Sequence, residues 1–282
     1  MNKIKCASVV TRKSYKEFLL LKYSMELFHE ISWYLSTDKY TYRMLRGEIP
    51  EENMLEIIDS DDGTHGSNDP EKNDIHMKMM MTKFDACELA LEDSNEGVLF
   101  LDSDMIFFNP IEDRIIDILK NKKIDAAVSP HSTENKLVES KVGTYNGGMF
   151  IMNSKKLLNE WKELSLKYKE NGMYFEQQPL EYAIKNYLTC NLPINYNVGW
   201  WRMNEQYTSF RLNTICLSES KINFLGLPLI NAHVHSLKKL DYQNYGAFML
   251  NKILHLLQNS KEENESHKKI LDTYASLMVM ED

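Results

Sequence analysis

The apolar run Val98-Leu99-Phe100-Leu101 stops abruptly at the acidic string Asp102-Ser103-Asp104. A strand with no polar residue on either face is typical of a sheet whose two faces are both covered by helices. The run therefore favours an α/β protein. It also places two carboxylates at the carboxyl end of a strand, which is the edge where open α/β sheets bind ligands.

Strand-like and helical segments alternate along most of the chain. Strands are predicted at residues 6–11, 98–101, 125–129, 147–152 and 221–235, and helices after the first strand and at 75–92, 111–121 and 153–170. This alternation predicts a mainly parallel central sheet flanked by helices. Because the sequence shows no internal repeat and no linker, we expect a single domain over residues 1–282, with a helical C-terminal tail from about residue 242.

The negative charge of the chain lies in one stretch. The 282 residues carry a formal net charge of −8, and residues 48–74 alone hold ten acidic residues and one basic residue, Lys72. With its glycines and prolines, this stretch is predicted to be an acidic surface insertion. The other 255 residues carry 31 acidic and 32 basic residues. That balance argues against a nucleic-acid-binding protein, which normally has a basic face.

Nothing in the sequence predicts a membrane span or a secreted protein. No segment approaches the roughly 18 uninterrupted apolar residues of a transmembrane helix, and the charged pair Arg12-Lys13 follows too soon for a signal peptide. The cysteines at positions 6, 87, 190 and 216 lack the spacing of a zinc site or a disulfide framework. We therefore expect reduced thiols and a cytoplasmic protein, either soluble or peripheral to a membrane.

Asp102 and Asp104 form a candidate metal site. Side chains alternate along an extended chain, so residues two apart lie on the same side. Two carboxylates placed there repel each other unless a cation joins them, and hard oxygen ligands suit Mg²⁺ or Mn²⁺. The alternative is an exposed turn that carries two solvated acids.

Two histidines, His233 and His235, follow a second apolar strand and share one of its faces. Either one, as a neutral imidazole, is able to bind a metal ion. Added to two carboxylates, a histidine would favour Mn²⁺ somewhat over Mg²⁺. The alternative is a pair of ordinary surface or core histidines, and the sequence leaves open which of the two would be the ligand.

An ordered set of motifs resembles a known family. The set comprises Val9-Val10-Thr11, Lys83, Leu101-Asp102-Ser103-Asp104, Tyr145-Asn146-Gly147-Gly148 with the strand up to Asn153, Glu176-Gln177 and His233-Val234-His235. In order and spacing it resembles the GT-A fold glycosyltransferases related to glycogenin and the bacterial lipopolysaccharide galactosyltransferases, over roughly residues 5 to 240. The resemblance implies a GT-A type α/β fold, with a Rossmann-like nucleotide-binding half and an acceptor half.

The resemblance also implies roles for individual residues. Thr11, Arg12 and Tyr15 would lie beside the nucleotide, with Tyr15 stacked on its base. Lys83 would reach the phosphates or the donor sugar. The metal would be held by Asp102 and Asp104 with a histidine, His233 or His235. The remaining donor-binding residues would be Ser103, Asn146, Gly147, Gly148 and Lys238.

Glu176 and Gln177 would lie near the reacting carbon of the sugar. The sequence departs here from the family pattern, because Glu176 replaces the usual aspartate. In a retaining enzyme the amide of Gln177 would face the anomeric carbon, whereas in an inverting enzyme Glu176 would be the general base. Trp200 and Trp201 are candidates for an acceptor wall, with core packing as the alternative.

The predicted function is therefore a glycosyltransferase that depends on Mn²⁺ or Mg²⁺. It would move a hexose from a nucleoside-diphosphate sugar, with UDP as the expected nucleotide, to a glycan, glycolipid or glycoprotein hydroxyl. One alternative is a nucleotidyltransferase that makes sugar nucleotides, although Thr11-Arg12-Lys13-Ser14 lacks the glycines expected of its nucleotide loop. Another is a non-catalytic protein that binds nucleotide sugars.

Overall fold

A computed structural model describes residues 3–62, 69–93, 95–120, 123–132, 136–202, 213–234 and 245–280. Its strands are β1 (Ile4–Val10), β2 (Ile31–Asp38), β3 (Met54–Ile58), β4 (Val98–Leu101), β5 (Met105–Phe107), β6 (Ala126–Pro130), β7 (Tyr145–Met152), β8 (Thr189–Asn191), β9 (Val198–Gly199), β10 (Ile215–Ser218), β11 (Lys221–Phe224), β12 (Leu227–Pro228) and β13 (Asn231–His233). Its α-helices are α1 (Tyr15–Glu26), α2 (Lys39–Leu45), α3 (Pro70–Glu92), α4 (Asp113–Lys120), α5 (Lys136–Val142), α6 (Lys155–Leu166), α7 (Gln177–Ala183), α8 (Tyr245–Ser260) and α9 (Glu265–Val279).

The described residues form a seven-stranded sheet with the strand order β3-β2-β1-β4-β7-β6-β8. β1 is parallel to β2 and β4, β2 is parallel to β3, and β6 is parallel to β8. β7 is antiparallel to both of its neighbours. The predicted α/β class with a mainly parallel central sheet is confirmed, and β7 runs against the other strands.

The apolar run of β4 is buried on both faces of this sheet. Leu99 and Leu101 belong to the core on one side, together with Phe18 of α1. Phe100 belongs to the core on the other side, with residues of α3 and α6. Because side chains alternate across a strand, one uninterrupted apolar run supplies both cores. This burial explains why β4 carries no polar residue before Asp102.

A smaller sheet, β5-β13-β9, lies next to the end of β4. β5 begins at Met105, directly after Asp104, and pairs antiparallel with β13 in a register that sets His233 opposite Met105. β13 also pairs in parallel with β9. The end of β13 is therefore held beside the end of β4, although 129 positions separate Asp104 from His233 in the sequence.

The range 48–74 is more regular than its composition predicts. β3 pairs with β2 and buries Met54 and Ile58, while Glu56 and Ile57 face solvent. Helix α3 begins at Pro70 rather than Ile75. The acidic stretch therefore contains an edge strand at 54–58 and the start of α3 from residue 70, and its character as an insertion stays a prediction. The extent of the domain stays a prediction.

The predicted strand at 221–235 is three short strands instead of one. A turn with positive φ at Leu225 and Gly226, of 53° and 78°, separates β11 from β12. Residues 215–228 thus form an antiparallel β10-β11-β12 sheet of their own, and β13 joins a different sheet. Besides β3, the elements that the sequence did not predict are β2, β5, β8, β9, β10, α2, α5 and α7.

The four cysteines form no disulfide in the structure: Cys6 and Cys87 are buried, Cys190 is partly buried and Cys216 is exposed. Across the part of the chain that the structure covers, no helix is both long enough and apolar enough to span a membrane. The cytoplasmic location stays a prediction.

Trp161 of α6 provides a test of the second core. Its fully buried ring packs edge-on against Phe84 and Phe150, each at a centroid distance of 4.9 Å. We expect Trp161→Ala to lower the free energy of unfolding by about 3–5 kcal/mol in urea denaturation. The matched control is Leu166→Ala in the same helix, which is 65% exposed and should change that free energy by less than about 0.5 kcal/mol. Equal effects would contradict this account.

Candidate functional site

Asp102 and Asp104 occupy the turn between β4 and β5. The backbone N–H of Asp102 donates to the carbonyl of Gly148 on β7 at 2.8 Å. The carbonyl of Asp104 accepts from the N–H of Val234, which follows β13, at 3.1 Å. Each aspartate is therefore fixed by a neighbouring strand, and both carboxylates lie at the carboxyl end of β4.

His233 completes a cluster with the two aspartates. Its Nε2 lies 2.7 Å from Oδ1 of Asp104 and 3.9 Å from Oδ2 of Asp102. One ligand atom from each of the three residues lies within 4.8 Å of the others. The structure thus brings His233 to the acids, while His235 and Lys238 lie outside the described residues. Two carboxylates and one imidazole suit Mn²⁺ or Mg²⁺.

Gly148 leaves the room that this cluster needs. A Cβ atom at this position would lie 2.6 Å from Oδ2 of Asp102 and 2.8 Å from both Cε1 of His233 and Oδ1 of Asn146. Real Cβ atoms essentially never lie less than 3.0 Å from such neighbours. The backbone of β7 therefore approaches the candidate metal ligands as closely as only glycine permits.

The electrostatics of the cluster also favour a bound cation. Burial raises the pKa of Asp102, and the charges of Asp104 and Glu176 add to that rise. Lys83 and His233 oppose it without cancelling it. A divalent cation between the carboxylates would stabilise the ionised form of Asp102.

Lys83 and Glu176 form a buried ion pair beside the cluster of Asp102, Asp104 and His233. Nζ of Lys83 lies 2.7 Å from Oε1 of Glu176 and donates to the Gly147 carbonyl at 3.3 Å. Burial alone would lower the pKa of Lys83, but the carboxylates of Glu176 and Asp102 outweigh it and raise that pKa. Burial alone would raise the pKa of Glu176, but the Lys83 ammonium outweighs it and lowers that pKa. Both side chains are therefore charged near neutral pH.

Gln177, the first residue of α7, lies against the start of β7. Its Oε1 accepts from Nδ2 of Asn146 and from the N–H of Gly147, each at 3.3 Å. Nδ2 of Asn146 also lies 3.4 Å from Nε2 of His131, a buried histidine that the sequence analysis did not single out. The structure therefore gathers the predicted residues Asn146, Gly147 and Gln177 around a single amide network.

Thr11, Arg12 and Tyr15 lie at the carboxyl end of β1, which is the strand next to β4. Thr11 is buried and caps the turn at Arg12–Ser14. Arg12 is exposed and its guanidinium lies 4.9 Å from the ring centre of Tyr40. Tyr15 is only 8% exposed, so Arg12 and Tyr40 present more surface at this edge.

The acidic segment that follows β3 returns to this same edge. The ammonium of Lys13 donates to the carbonyl of Asp61 at 2.7 Å and to Oδ1 of Asp62 at 3.0 Å. The N–H of Arg12 donates to Oδ2 of Asp38, at the end of β2, at 2.7 Å. Asp38, Tyr40 and Asp61 thus belong to this edge, and their positions depend on strand order, which the sequence pattern does not give.

The tandem tryptophans differ in their surroundings. The Trp201 ring meets the His233 ring edge-on at a centroid distance of 4.9 Å, whereas Trp200 is 39% exposed. Arg202, almost fully buried, anchors the segment by donating to the carbonyls of Pro130, His131 and Ile194. Trp201 therefore packs beside a candidate metal ligand, and Trp200 remains available at the surface.

The chain is similar to known proteins in both its sequence and its structure. A family model described as nucleotide-diphospho-sugar transferase matches residues 34–262. No curated protein sequence matches the chain.

Solved glycosyltransferases share the fold. The galactosyltransferase LgtC, in complex with donor and acceptor sugar analogs, superposes with a TM-score of 0.57 and 14% identity, over 99% of this chain and 98% of LgtC. The apo form of the glycosyltransferase GlyE from Streptococcus pneumoniae TIGR4 gives a TM-score of 0.55 and 15% identity, over 98% of this chain and 64% of the GlyE chain. An active-site mutant of LgtC gives 0.53 and 13% identity, over 88% of this chain and 95% of the mutant chain. The expected GT-A type fold is confirmed.

The buried pair Lys83–Glu176 yields a prediction with a defined pH dependence. In Lys83→Met the Glu176 carboxylate would remain buried without its cation, so we expect unfolding free energy at pH 7 to fall by about 3–5 kcal/mol. Glu176 contributes stability above its unfolded pKa and loses it as the pH falls through its lower folded pKa. The deficit should therefore shrink as the pH is lowered toward 4, where Glu176 of the variant becomes neutral.

Urea denaturation at pH 7 and at about pH 4.5, near the ordinary pKa of a glutamate, would measure this deficit. The control is Lys162→Met, which removes a partly exposed ion pair with Asp85 and should cost about 1 kcal/mol or less. A deficit in Lys83→Met that does not depend on pH would contradict the assignment of the buried charge.

Proposed function

Because the chain belongs to the nucleotide-diphospho-sugar transferase family, we propose that it is a metal-dependent hexosyltransferase. It would transfer the hexose of a UDP-hexose donor to a hydroxyl group of a glycan, glycolipid or glycoprotein. The observation that carries the proposal is the cluster of Asp102, Asp104 and His233 at the carboxyl end of β4. Family membership makes the chain a nucleotide-sugar-dependent glycosyltransferase, and the nucleotide, the sugar class and the acceptor class are our proposal.

We assign the metal to Asp102, Asp104 and His233, with His235 as a further candidate. When bound there, Mn²⁺ or Mg²⁺ supplies Lewis-acid stabilisation of the charge on the leaving diphosphate. Ser103 lies between the two aspartates and would contact the diphosphate through its hydroxyl. Lys238 would add a positive charge at the same group.

The donor would lie across the edge formed by β1, β4 and β7. Thr11, Arg12 and Tyr15 would contact the nucleotide, with Arg12 as the exposed member of the three. Asn146 and the two glycines that follow it would lie under the sugar. In our proposal Lys83 supports this platform from below instead of reaching the phosphates, since its ammonium is fully buried against Glu176 and Gly147.

Of the two candidate catalytic residues, we propose that Gln177 faces the reacting carbon and that Glu176 positions Lys83. A general base must be free to take a proton, but Glu176 is paired with Lys83 at 2.7 Å and its pKa is lowered. This arrangement favours the retaining course, in which the leaving phosphate accepts the proton of the acceptor hydroxyl. A glutamine-to-glutamate variant of LgtC is an active-site mutant, which supports an active-site role for a glutamine in this fold.

The two alternative functions have distinct signatures. A nucleotidyltransferase would form a sugar nucleotide from a nucleoside triphosphate and a sugar phosphate. A non-catalytic protein would bind UDP with Mn²⁺ but would neither hydrolyse the donor nor transfer its sugar. An assay that follows UDP release from a panel of UDP-sugars therefore distinguishes both from the proposed enzyme.

Replacement of a metal ligand tests the proposed function directly. With Mn²⁺ present, we expect Asp104→Ala to slow UDP release by about a hundredfold or more, because several kcal/mol of charge stabilisation would be lost. EDTA should have the same effect on the unaltered protein. The control is Asp117→Ala, an exposed acid on α4, which should leave the rate unchanged. Full activity of Asp104→Ala would refute the assignment.

Gln177→Ala tests the catalytic assignment. Because the amide is proposed to act at the reacting carbon, the variant should lower kcat with a smaller change in KM. NMR of the anomeric centre in the product of the unaltered enzyme should show retained configuration. An inverted product would instead identify Glu176, or another carboxylate, as a general base.

A further inference from the structure

Asn197 is a buried polar residue that the proposed function leaves without a role. It precedes β9, it is 0% exposed, and its backbone is left-handed with φ of 48°. Its backbone N–H donates to Oδ1 of Asn231 at 2.7 Å. Asparagine tolerates such a φ better than most residues, but this conformation does not account for the contacts of its side chain.

The side chain of Asn197 joins three parts of the site. Its Nδ2 donates to Oγ of Ser129 and to Oδ1 of Asn146, each at 2.9 Å. Its Oδ1 lies 3.3 Å from Nδ1 of His233. A single amide therefore contacts the end of β6, the donor-sugar platform of β7 and a candidate metal ligand.

Hydrogen-bond chemistry fixes which way these amides point. Oδ1 of Asn146 accepts from the N–H of Gly148 at 2.9 Å, and an amide nitrogen at that position would set two donors against each other. The oxygen of Asn146 must therefore face Asn197, and the NH2 group of Asn197 must donate to that oxygen. It follows that the oxygen of Asn197 is the atom that faces His233.

The orientation of Asn197 in turn fixes the tautomer of His233. An amide oxygen only accepts, so Nδ1 of His233 must carry the proton that it donates. Nε2 lies 2.7 Å from Oδ1 of Asp104, a distance that requires a proton between the two atoms. A cation bound at the cluster would replace that proton on Nε2, while Nδ1 keeps its own proton toward Asn197. Histidine ligands commonly depend on such a partner at the other ring nitrogen.

We propose that Asn197 is a positioning residue that couples the metal ligand His233 to the donor-sugar platform. Asn197 orients His233 so that Nε2 faces the cation, and its NH2 group holds Oδ1 of Asn146 by a hydrogen bond. The NH2 group of Asn146 is thereby directed to Oε1 of Gln177. The inference rests on the proposed metal-dependent function, and it assigns a residue of this chain that acts through others.

The first test measures metal binding without nucleotide or turnover. Asn197→Gly removes the side chain, and glycine accepts the positive φ without strain. Titration calorimetry with Mn²⁺ alone should show about tenfold to a hundredfold weaker binding than in the unaltered protein. The matched control is Asn195→Gly. Asn195 is also buried, and its Nδ2 donates to the carbonyl of Pro228 at 2.8 Å, so its loss should leave Mn²⁺ affinity unchanged.

The second test separates the two contacts of Asn197. Asn197→Asp keeps an oxygen acceptor for His233, but it places a carboxylate oxygen against Oδ1 of Asn146. We expect Mn²⁺ affinity to be retained, while kcat/KM for the donor falls by about tenfold or more, since the Asn146 and Gln177 amides lose their orientation. A purely structural role would lower both quantities together or neither.

These outcomes distinguish the inference from the proposed function. If the unaltered protein binds no Mn²⁺, the metal site itself fails. If it binds Mn²⁺ and Asn197→Gly binds equally well, the coupling is refuted. Urea denaturation shows whether Asn197→Gly is folded. If Asn197→Gly does not unfold cooperatively, the test rests on Asn197→Asp alone. Retained Mn²⁺ affinity with lost turnover then supports the inference, and any other combination overturns it.

Discussion

Negative charge gathered at the end of a strand buried on both faces has to be balanced over short distances, and the site is built around that requirement. Asp102 follows the fully buried β4, and Asp104 and Glu176 add two further carboxylates nearby. On the protein side, the compensating groups are the buried ammonium of Lys83 and the imidazole of His233. Because Lys83 pairs with Glu176, the two aspartates are left with His233 and, in the proposed function, a divalent cation. The positions of β7, β13 and α7 all serve to bring these groups within reach.

Sequence reasoning succeeded where the physical signal is local. The apolar run of β4 specified a doubly covered strand, and the position of Asp102 and Asp104 directly after it placed both carboxylates at its carboxyl end. Sequence reasoning could not choose between His233 and His235, since the period of two along a strand places both on one face. The register between β5 and β13 pairs His233 with Met105 across a long sequence separation, and it is this register that brings His233 to the aspartates.

The missed features have a common physical origin. β3 escaped detection because only Met54 and Ile58 are buried among acidic neighbours, so its strand character comes from pairing with β2 and not from its own composition. Asn197 gave no signal, because one asparagine in a polar segment looks like an ordinary turn residue. Its importance arises from four bonds to residues between 34 and 68 positions away. Long-range contacts of this kind are decided by topology, which no local pattern encodes.

The antiparallel direction of β7 has a consequence for how this scaffold can vary. Asn146, Gly147 and Gly148 reach the ligand edge as the first residues of a strand, and Gly148 and Met149 already bond or pair with the end of β4. An inserted or deleted residue would shift every later side chain of β7 to the opposite face and exchange its two cores. Variation at residues 146–148 that keeps this pairing and both cores is therefore restricted to substitutions at fixed length.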